Sequence, residues 1–212
     1  MSGINYKIIL IGNSGVGKTS IFKKIDTGEF HDKNIMSLGV EKKTVDLDIT
    51  IKKNGEEVIK HFSISLFDTA GQERFRALTL NYFKDSEGIL LLYDITSRIT
   101  FENVSEWVNN IKDAVNSSEN SNYVVILIGN KLDLVEEGKE ERVVTVEEAK
   151  SACREYNLYW GGEISTKNIK LDKLTENLKE YVEEIYYKVG EKSGGVQKTK
   201  TLYSKKKKKN FC

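Results

Sequence analysis

Gly12-Asn13-Ser14-Gly15-Val16-Gly17-Lys18-Thr19 restricts this chain more than any other stretch. The apolar run Tyr6-Lys7-Ile8-Ile9-Leu10-Ile11 leads into it, and Thr19-Ser20-Ile21-Phe22-Lys23-Lys24 follows with helix-compatible composition. A strand, a glycine-rich turn and a helix in that order make a concave anion site. The glycines let the backbone wrap closely, with N–H groups pointing inward at a helix N-terminus. The spacing G-x-x-x-x-G-K-[ST] is the phosphate-loop pattern. In it Lys18 reaches the outer phosphates of a nucleoside triphosphate, and the Thr19 hydroxyl ligates Mg²⁺. Ser14, Gly15, Val16, Gly17 and Ser20 complete the expected phosphate cradle. The plainer reading is a glycine-rich strand-to-helix turn with a solvated lysine, and the downstream motifs weigh against it. The loop alone fixes neither the base nor whether the output is chemistry or signalling.

A chain of 212 residues is one sizeable domain, or one domain with a tail. No apolar run approaches the ~20 residues of a membrane span. Met1-Ser2-Gly3-Ile4-Asn5 lacks the basic start and apolar core of a secretory signal. Two distant cysteines, Cys153 and Cys212, suggest neither a disulfide framework nor a zinc site, and a reducing cytosol is expected. The net charge of +1 hides an asymmetry. Residues 191–212 hold eight lysines against one glutamate, so the first 190 residues carry a net −6. An acidic body argues against a nucleic-acid-binding core and makes the tail a separate question.

Continuous apolar runs predict buried parallel strands at Tyr6–Ile11, Ile89–Tyr93 and Tyr123–Ile128, with a weaker one at Glu163–Ile164. Helical stripes lie between them: Phe101, Val104, Trp107/Val108, Ile111 and Val115, then Leu171, Leu174, Leu178, Val182, Ile185 and Val189. These stripes, Trp107 included, read as core. Thr145-Val146-Glu147-Glu148 has capping-box spacing before a helix whose apolar side carries Cys153. Val45–Ile51 and Val58–Phe67 alternate around the turn signal Lys53-Asn54-Gly55-Glu56, which predicts an antiparallel hairpin at the sheet's edge. The expectation is a three-layer α/β fold with its ligand beyond the C-terminal ends of the strands.

Two more motifs fall on that edge. In Phe67-Asp68-Thr69-Ala70-Gly71-Gln72-Glu73, Asp68 ends a strand and can hold Mg²⁺ through water. Gly71 can offer its N–H to a γ-phosphate where no side chain would fit, and Gln72 can orient an attacking water. Gly129-Asn130-Lys131-Leu132-Asp133 ends another strand. The Asp133 carboxylate can accept from both N1–H and the 2-amino group of guanine, whereas adenine would leave it unpaired. Glu163-Ile164-Ser165-Thr166-Lys167 can then place backbone N–H groups at the guanine carbonyl.

The order of these motifs resembles the Ras superfamily of small GTPases over roughly residues 5–190. Arg74-Phe75-Arg76-Ala77-Leu78-Thr79, Tyr82-Phe83-Lys84 and Leu92-Tyr93-Asp94-Ile95-Thr96 resemble its Rab branch. The resemblance implies the G-domain fold, a mostly parallel six-stranded sheet with one antiparallel edge strand and helices on both faces. It implies a GTP/GDP switch with Mg²⁺ that hydrolyses GTP slowly and acts in vesicle transport. Phe30 matches the aromatic that stacks on guanine. Ser37-Leu38-Gly39 matches the first switch, Ser37 standing where the family has threonine to ligate Mg²⁺. Asn130, Lys131, Asp133, Ser165, Thr166 and Lys167 match the base-reading positions. No arginine is evident for action in cis, so an activating protein is expected to supply charge in the transition state. An exchange factor, a dissociation inhibitor or escort protein and effectors are the other implied partners.

The chain departs from the family at Lys42, where phenylalanine is expected, and at Phe67, where tryptophan is expected. The segment from Gly39 to Asp68 is longer by about eight residues than the family pattern, a length that either adds a contact or is simply a tolerated insertion. The tail, residues 191–212, reads as a disordered basic tether ending at Cys212. Lys205–Lys209 favour an anionic membrane surface, and prenylation of Cys212 would add the second signal a stable anchor needs. The ending fits neither C-a-a-X nor the paired cysteines usual for the branch. A solvated basic tail is the plainer alternative, and nuclear targeting or nucleic-acid binding a third. The expected location is cytoplasmic, cycling onto the cytoplasmic face of an intracellular membrane. Two other functions share the phosphate loop. A small-molecule phosphotransferase would want an arginine-rich lid, but the arginines are few and scattered. A GTP-binding module without turnover is disfavoured by Gln72.

Overall fold

The computed structural model describes residues 3–30, 40–53, 55–69, 83, 85–116 and 122–191, with positions 115 and 116 as backbone only. A strand that is apolar at every position is stable only where both its faces are covered. The chain meets that condition with six strands and layers of helix on either side. The strands are β1 (Ile4–Gly12), β2 (Glu41–Lys53), β3 (Glu56–Asp68), β4 (Gly88–Asp94), β5 (Val124–Asn130) and β6 (Tyr159–Glu163). The helices are α1 (Lys18–Thr27), α2 (Arg98–Glu102), α3 (Val104–Asn116), α4 (Leu132–Glu136), α5 (Val146–Tyr156) and α6 (Leu171–Val189). Spatial order in the sheet is β2-β3-β1-β4-β5-β6, with only β2 antiparallel to its neighbour. This is the expected six-stranded sheet with one antiparallel edge.

Alternation along each central strand divides the interior into two cores. Ile8, Leu10, Leu90, Leu92, Ile126 and Ile128 pack with α1 and α6. Ile9, Ile11, Ile89, Leu91, Val125 and Leu127 face α3 and α5 on the opposite side. Cys153 lies in the second core, as its place on the α5 stripe suggests. The capping box of α5 forms: the Glu148 N–H donates to Thr145 Oγ1 at 3.2 Å, and the Thr145 N–H donates to Glu148 Oε2 at 2.8 Å.

The last strand corrects the sequence reading. It spans Tyr159–Glu163, whereas Glu163–Ile164 was expected. Gly161 and Gly162 hid it, because they interrupt any apolar pattern. The fold needs Gly161 for space. A Cβ there would lie 2.7 Å from Ile126 Cγ2 and 2.9 Å from Ile128 Cγ1, and its carbonyl accepts the Tyr181 hydroxyl of α6 at 2.7 Å.

The hairpin turns at Gly55, whose φ of +90° is the left-handed region that favours glycine. Lys42 and Phe67, the two departures, are cross-strand partners, with Lys42 Nζ 5.7 Å and Lys7 Nζ 5.6 Å from the ring centroid. Their spacing is that of a cation–π contact. The far end of the hairpin is long enough to meet α6. The Lys52 N–H donates to the Tyr187 hydroxyl at 3.0 Å, Lys60 pairs with Glu191 at 2.7 Å, and Phe62 meets Tyr186 edge to face. These contacts lie at the root of the tail, which begins at Glu191. Among the described residues no helix is long and apolar enough to cross a membrane.

Candidate nucleotide-binding site

The loops after β1, β3, β5 and β6 leave the same edge of the sheet, which brings together motifs that are far apart in sequence. The first begins at Gly12, with φ +133°, followed by Gly15 at +79° and Gly17 at +102°. Gly12 and Gly17 are also sterically required: an added Cβ would collide with Leu92 O and with Asn130 Nδ2 respectively. Gly17 caps α1 with no side-chain hydrogen bond. The helix N-terminus thus carries no side-chain cap, an arrangement suited to an anion. Val16 is fully buried, Ser14 and Gly15 are exposed, and Ser20 is half-buried on the first turn of α1.

Lys18 is buried and folds back over the loop, donating to Gly12 O at 3.0 Å and Asn13 O at 2.8 Å. Burial pushes its ammonium down to about 8, opposed by the Asp68 carboxylate nearby. Thr19 Oγ1 donates to Asp68 Oδ2 at 2.6 Å, and Asp68 is fully buried at the end of β3. A hydroxyl and a carboxylate so placed are hard oxygen donors of the kind Mg²⁺ takes, one or two from protein and the rest from water and phosphate. The donor set fits that ion. Among the described residues there is no larger group of His, Cys, Asp and Glu to favour another metal. Thr69 Oγ1 bonds Leu10 O at 2.7 Å, which joins the start of the second motif to β1.

Asn130 links phosphate and base loops directly. Its Nδ2 donates to Val16 O at 2.8 Å, and its Oδ1 accepts from the Thr166 N–H at 3.1 Å and the Thr166 hydroxyl at 2.8 Å. Lys131 sits at φ +71°, ψ +33°, a left-handed conformation uncommon for a non-glycine residue and typical of strained functional sites. Its Nζ pairs with Asp94 Oδ2 at 2.6 Å, and Asp94 Oδ1 is held by the N–H and hydroxyl of Thr96. Asp133 is 6% exposed and accepts the Ser165 hydroxyl at 2.6 Å, which fixes the plane of its carboxylate. Lys167 lies 3.7 Å from Glu137. Phe30 is half-buried, two residues past the left-handed Gly28 that ends α1.

Ser37, Gly71, Gln72 and Cys212 lie outside the described residues, as do Arg74 and Arg76. The other three arginines are held by Glu148 (Arg98), Glu163 (Arg142) and Ser151 (Arg154). Three contributors went unread in the sequence. Trp107, read only as core, also donates its indole N–H to Asn13 Oδ1 of the phosphate loop at 2.8 Å. Asp94 pairs with Lys131, and Lys24 reaches the base loop. Trp107 and Lys24 are helical positions with ordinary patterning, so no local signal marked them.

A mostly parallel sheet with a phosphate loop at its C-terminal edge, and the buried Asn130 and Asp133 on the neighbouring loop, defines a nucleotide-binding protein of the phosphate-loop class. The Ras family model matches residues 7–189, and the chain belongs to that family. It is 39% identical over 155 residues to Ras-related protein RABA1e of Arabidopsis thaliana, covering 73% of this chain and 64% of that one. It is 34% identical to Ras-related protein YPTC6 of Chlamydomonas reinhardtii, over 88% of this chain and 78% of that one. It is 39% identical to Ras-related protein Rab-26 of Drosophila melanogaster, over 73% of this chain and 36% of that one. The chain thus resembles the Rab and Ypt members of the family, and its alignment spans just under two thirds of the RABA1e relative's length.

Proposed function

We propose that the chain is a guanine-nucleotide switch that binds GTP and GDP, hydrolyses GTP slowly and recruits effectors in the GTP state. The observation that carries this reading is the Asn130 bridge, which ties a phosphate cradle to the loop whose Ser165 orients the buried Asp133 carboxylate. The open N-terminus of α1 and Lys18 hold the β- and γ-phosphates; on binding, Lys18 exchanges its carbonyl partners for phosphate oxygens. Ser14–Ser20 line the phosphates, and Phe30 and Lys131 flank the base. Asp133, held by Ser165, accepts from N1–H and the 2-amino group, a pair of donors that adenine lacks. Residues 165–167 face the guanine carbonyl.

Mg²⁺, held by Thr19 with Ser37 and Asp68, neutralises charge on the phosphates when bound. Ser37 and Gly71 sense the γ-phosphate, and its loss releases the two segments they belong to. Gln72 orients the attacking water. An activating protein supplies a cation in the transition state. The nucleotide domain is residues 5–190. The basic tail, 191–212, together with a prenyl group on Cys212, holds the protein on the cytoplasmic face of an intracellular membrane in vesicle transport. An exchange factor, a GDP-dissociation inhibitor or escort protein and effectors complete the cycle.

Single-turnover hydrolysis of preloaded GTP tests the switch. The wild type is expected to convert GTP to GDP slowly. Gln72→Leu is expected to be at least about tenfold slower at unchanged GTP affinity. Equal rates in the two proteins would remove Gln72 from the chemistry.

A further inference from the structure

Lys24 is a buried charge that nucleotide binding does not call for. It lies on α1, is 6% exposed, and donates to two backbone carbonyls, Thr166 O and Lys167 O, each at 2.9 Å. Burying an ammonium against neutral acceptors is unfavourable, and burial lowers its proton affinity. A methionine at this position would fill the same space without that penalty.

The geometry of the peptide says what the ammonium does. A trans peptide points its N–H opposite to its C=O, and the described chain has no cis bond. A cation on Thr166 O therefore turns the Lys167 N–H away from α1. The amides on either side are already used: that of Thr166 by Asn130 Oδ1 at 3.1 Å, and that of Asn168 by Ser165 Oγ at 3.0 Å. The Lys167 amide has no acceptor among the described residues. A cation bound to a carbonyl also polarises the peptide and strengthens its N–H as a donor.

We propose that Lys24 is a positioning residue for base recognition: its ammonium orients and polarises the 166–167 peptide so that the base loop presents a strengthened N–H to the 6-oxo group of guanine. The inference rests on the guanine reading above and deepens it, by placing part of the base's recognition on a helix that otherwise serves the phosphates.

The test compares GDP with 2-aminopurine riboside diphosphate, which keeps the 2-amino group, carries hydrogen in place of the 6-oxo group and also lacks the N1 proton, a loss common to all four proteins compared. Release of each is followed from wild type, Lys24→Met, Lys24→Gln and Lys24→Arg, with thermal midpoints recorded for all four. In Lys24→Met, GDP is expected to leave about tenfold faster, with release of the 2-aminopurine nucleotide changed less than twofold. Lys24→Arg should restore most of the GDP rate, and Lys24→Gln should fall between. Equal acceleration of both nucleotides would reduce Lys24 to a structural clasp and overturn the proposal, as would no change in either. Should Lys24→Met not fold, the Lys24→Gln comparison decides by the same criterion. A wild type that holds the two nucleotides equally well removes the 6-oxo contact itself, and this inference with it. A wild type indifferent between guanine and adenine nucleotides would instead defeat the guanine reading.

Discussion

Replacing Asn130 by alanine removes three hydrogen bonds from a residue that is 2% exposed. Val16 O loses the donor at 2.8 Å, and the Thr166 N–H and hydroxyl lose the shared acceptor at 3.1 and 2.8 Å. Each orphaned buried backbone group costs about 1–3 kcal/mol. The losses share one side chain and overlap, so about 3 kcal/mol is expected in all, felt where the two loops must hold their spacing around one ligand. At 1.4 kcal/mol per tenfold, release of GDP should quicken on the order of 100-fold. The assay is decay of a fluorescent GDP analogue chased with excess unlabelled GDP. Thr166→Val, which removes a single hydroxyl contact, should cost about 1 kcal/mol and quicken release about fivefold. An Asn130→Ala rate within about threefold of wild type, at an unchanged thermal midpoint, would refute the view that this side chain couples the two halves of the site.

Burial holds Lys18 at about 8 against an ordinary 10.5. Between those values the unfolded chain binds more protons than the folded one, so stability of the nucleotide-free protein should rise with pH across that window. Nucleotide phosphates keep the lysine protonated, so affinity should fall about tenfold per pH unit above about 8, and a flat titration would contradict the placement. Gly161→Val forces a side chain against Ile126 and Ile128, at a cost of about 1–3 kcal/mol, and should lower the thermal midpoint by about 5 °C. An unchanged midpoint would mean that β6 and α6 can separate freely. Lys60→Ala removes a partly exposed ion pair with Glu191 and should cost under about 1 kcal/mol in chemical denaturation. A larger loss would make the hairpin–tail contact a main support of the fold.

What was legible in the sequence follows from how locally each feature is encoded. β1, β4 and β5 announce themselves because both faces of their central residues are covered and those positions must be apolar. The phosphate loop and the Asn130–Asp133 stretch are legible because each performs its chemistry within a few consecutive residues. β6 was misplaced because its glycines answer to side chains on β5 and α6, which no window around them contains. Trp107, Asp94 and Lys24 act through partners 94, 37 and 142 positions away in sequence, so their roles appear only once the strands are side by side. In the sequence Lys42 and Phe67 are two separate departures, 25 positions apart. Only the hairpin register shows them to be one contact.

Competition binding at saturating Mg²⁺ reaches the heart of the matter, because it asks whether the buried Asp133 carboxylate reads a base. The protein, preloaded with fluorescent GDP, is challenged with GTP and with ATP over the same concentration range. GTP should displace the probe at least about 10⁴-fold more effectively, since adenine leaves Asp133 buried without a donor pair. Equal displacement by ATP would mean that the pocket beside the phosphate loop reads no base at all.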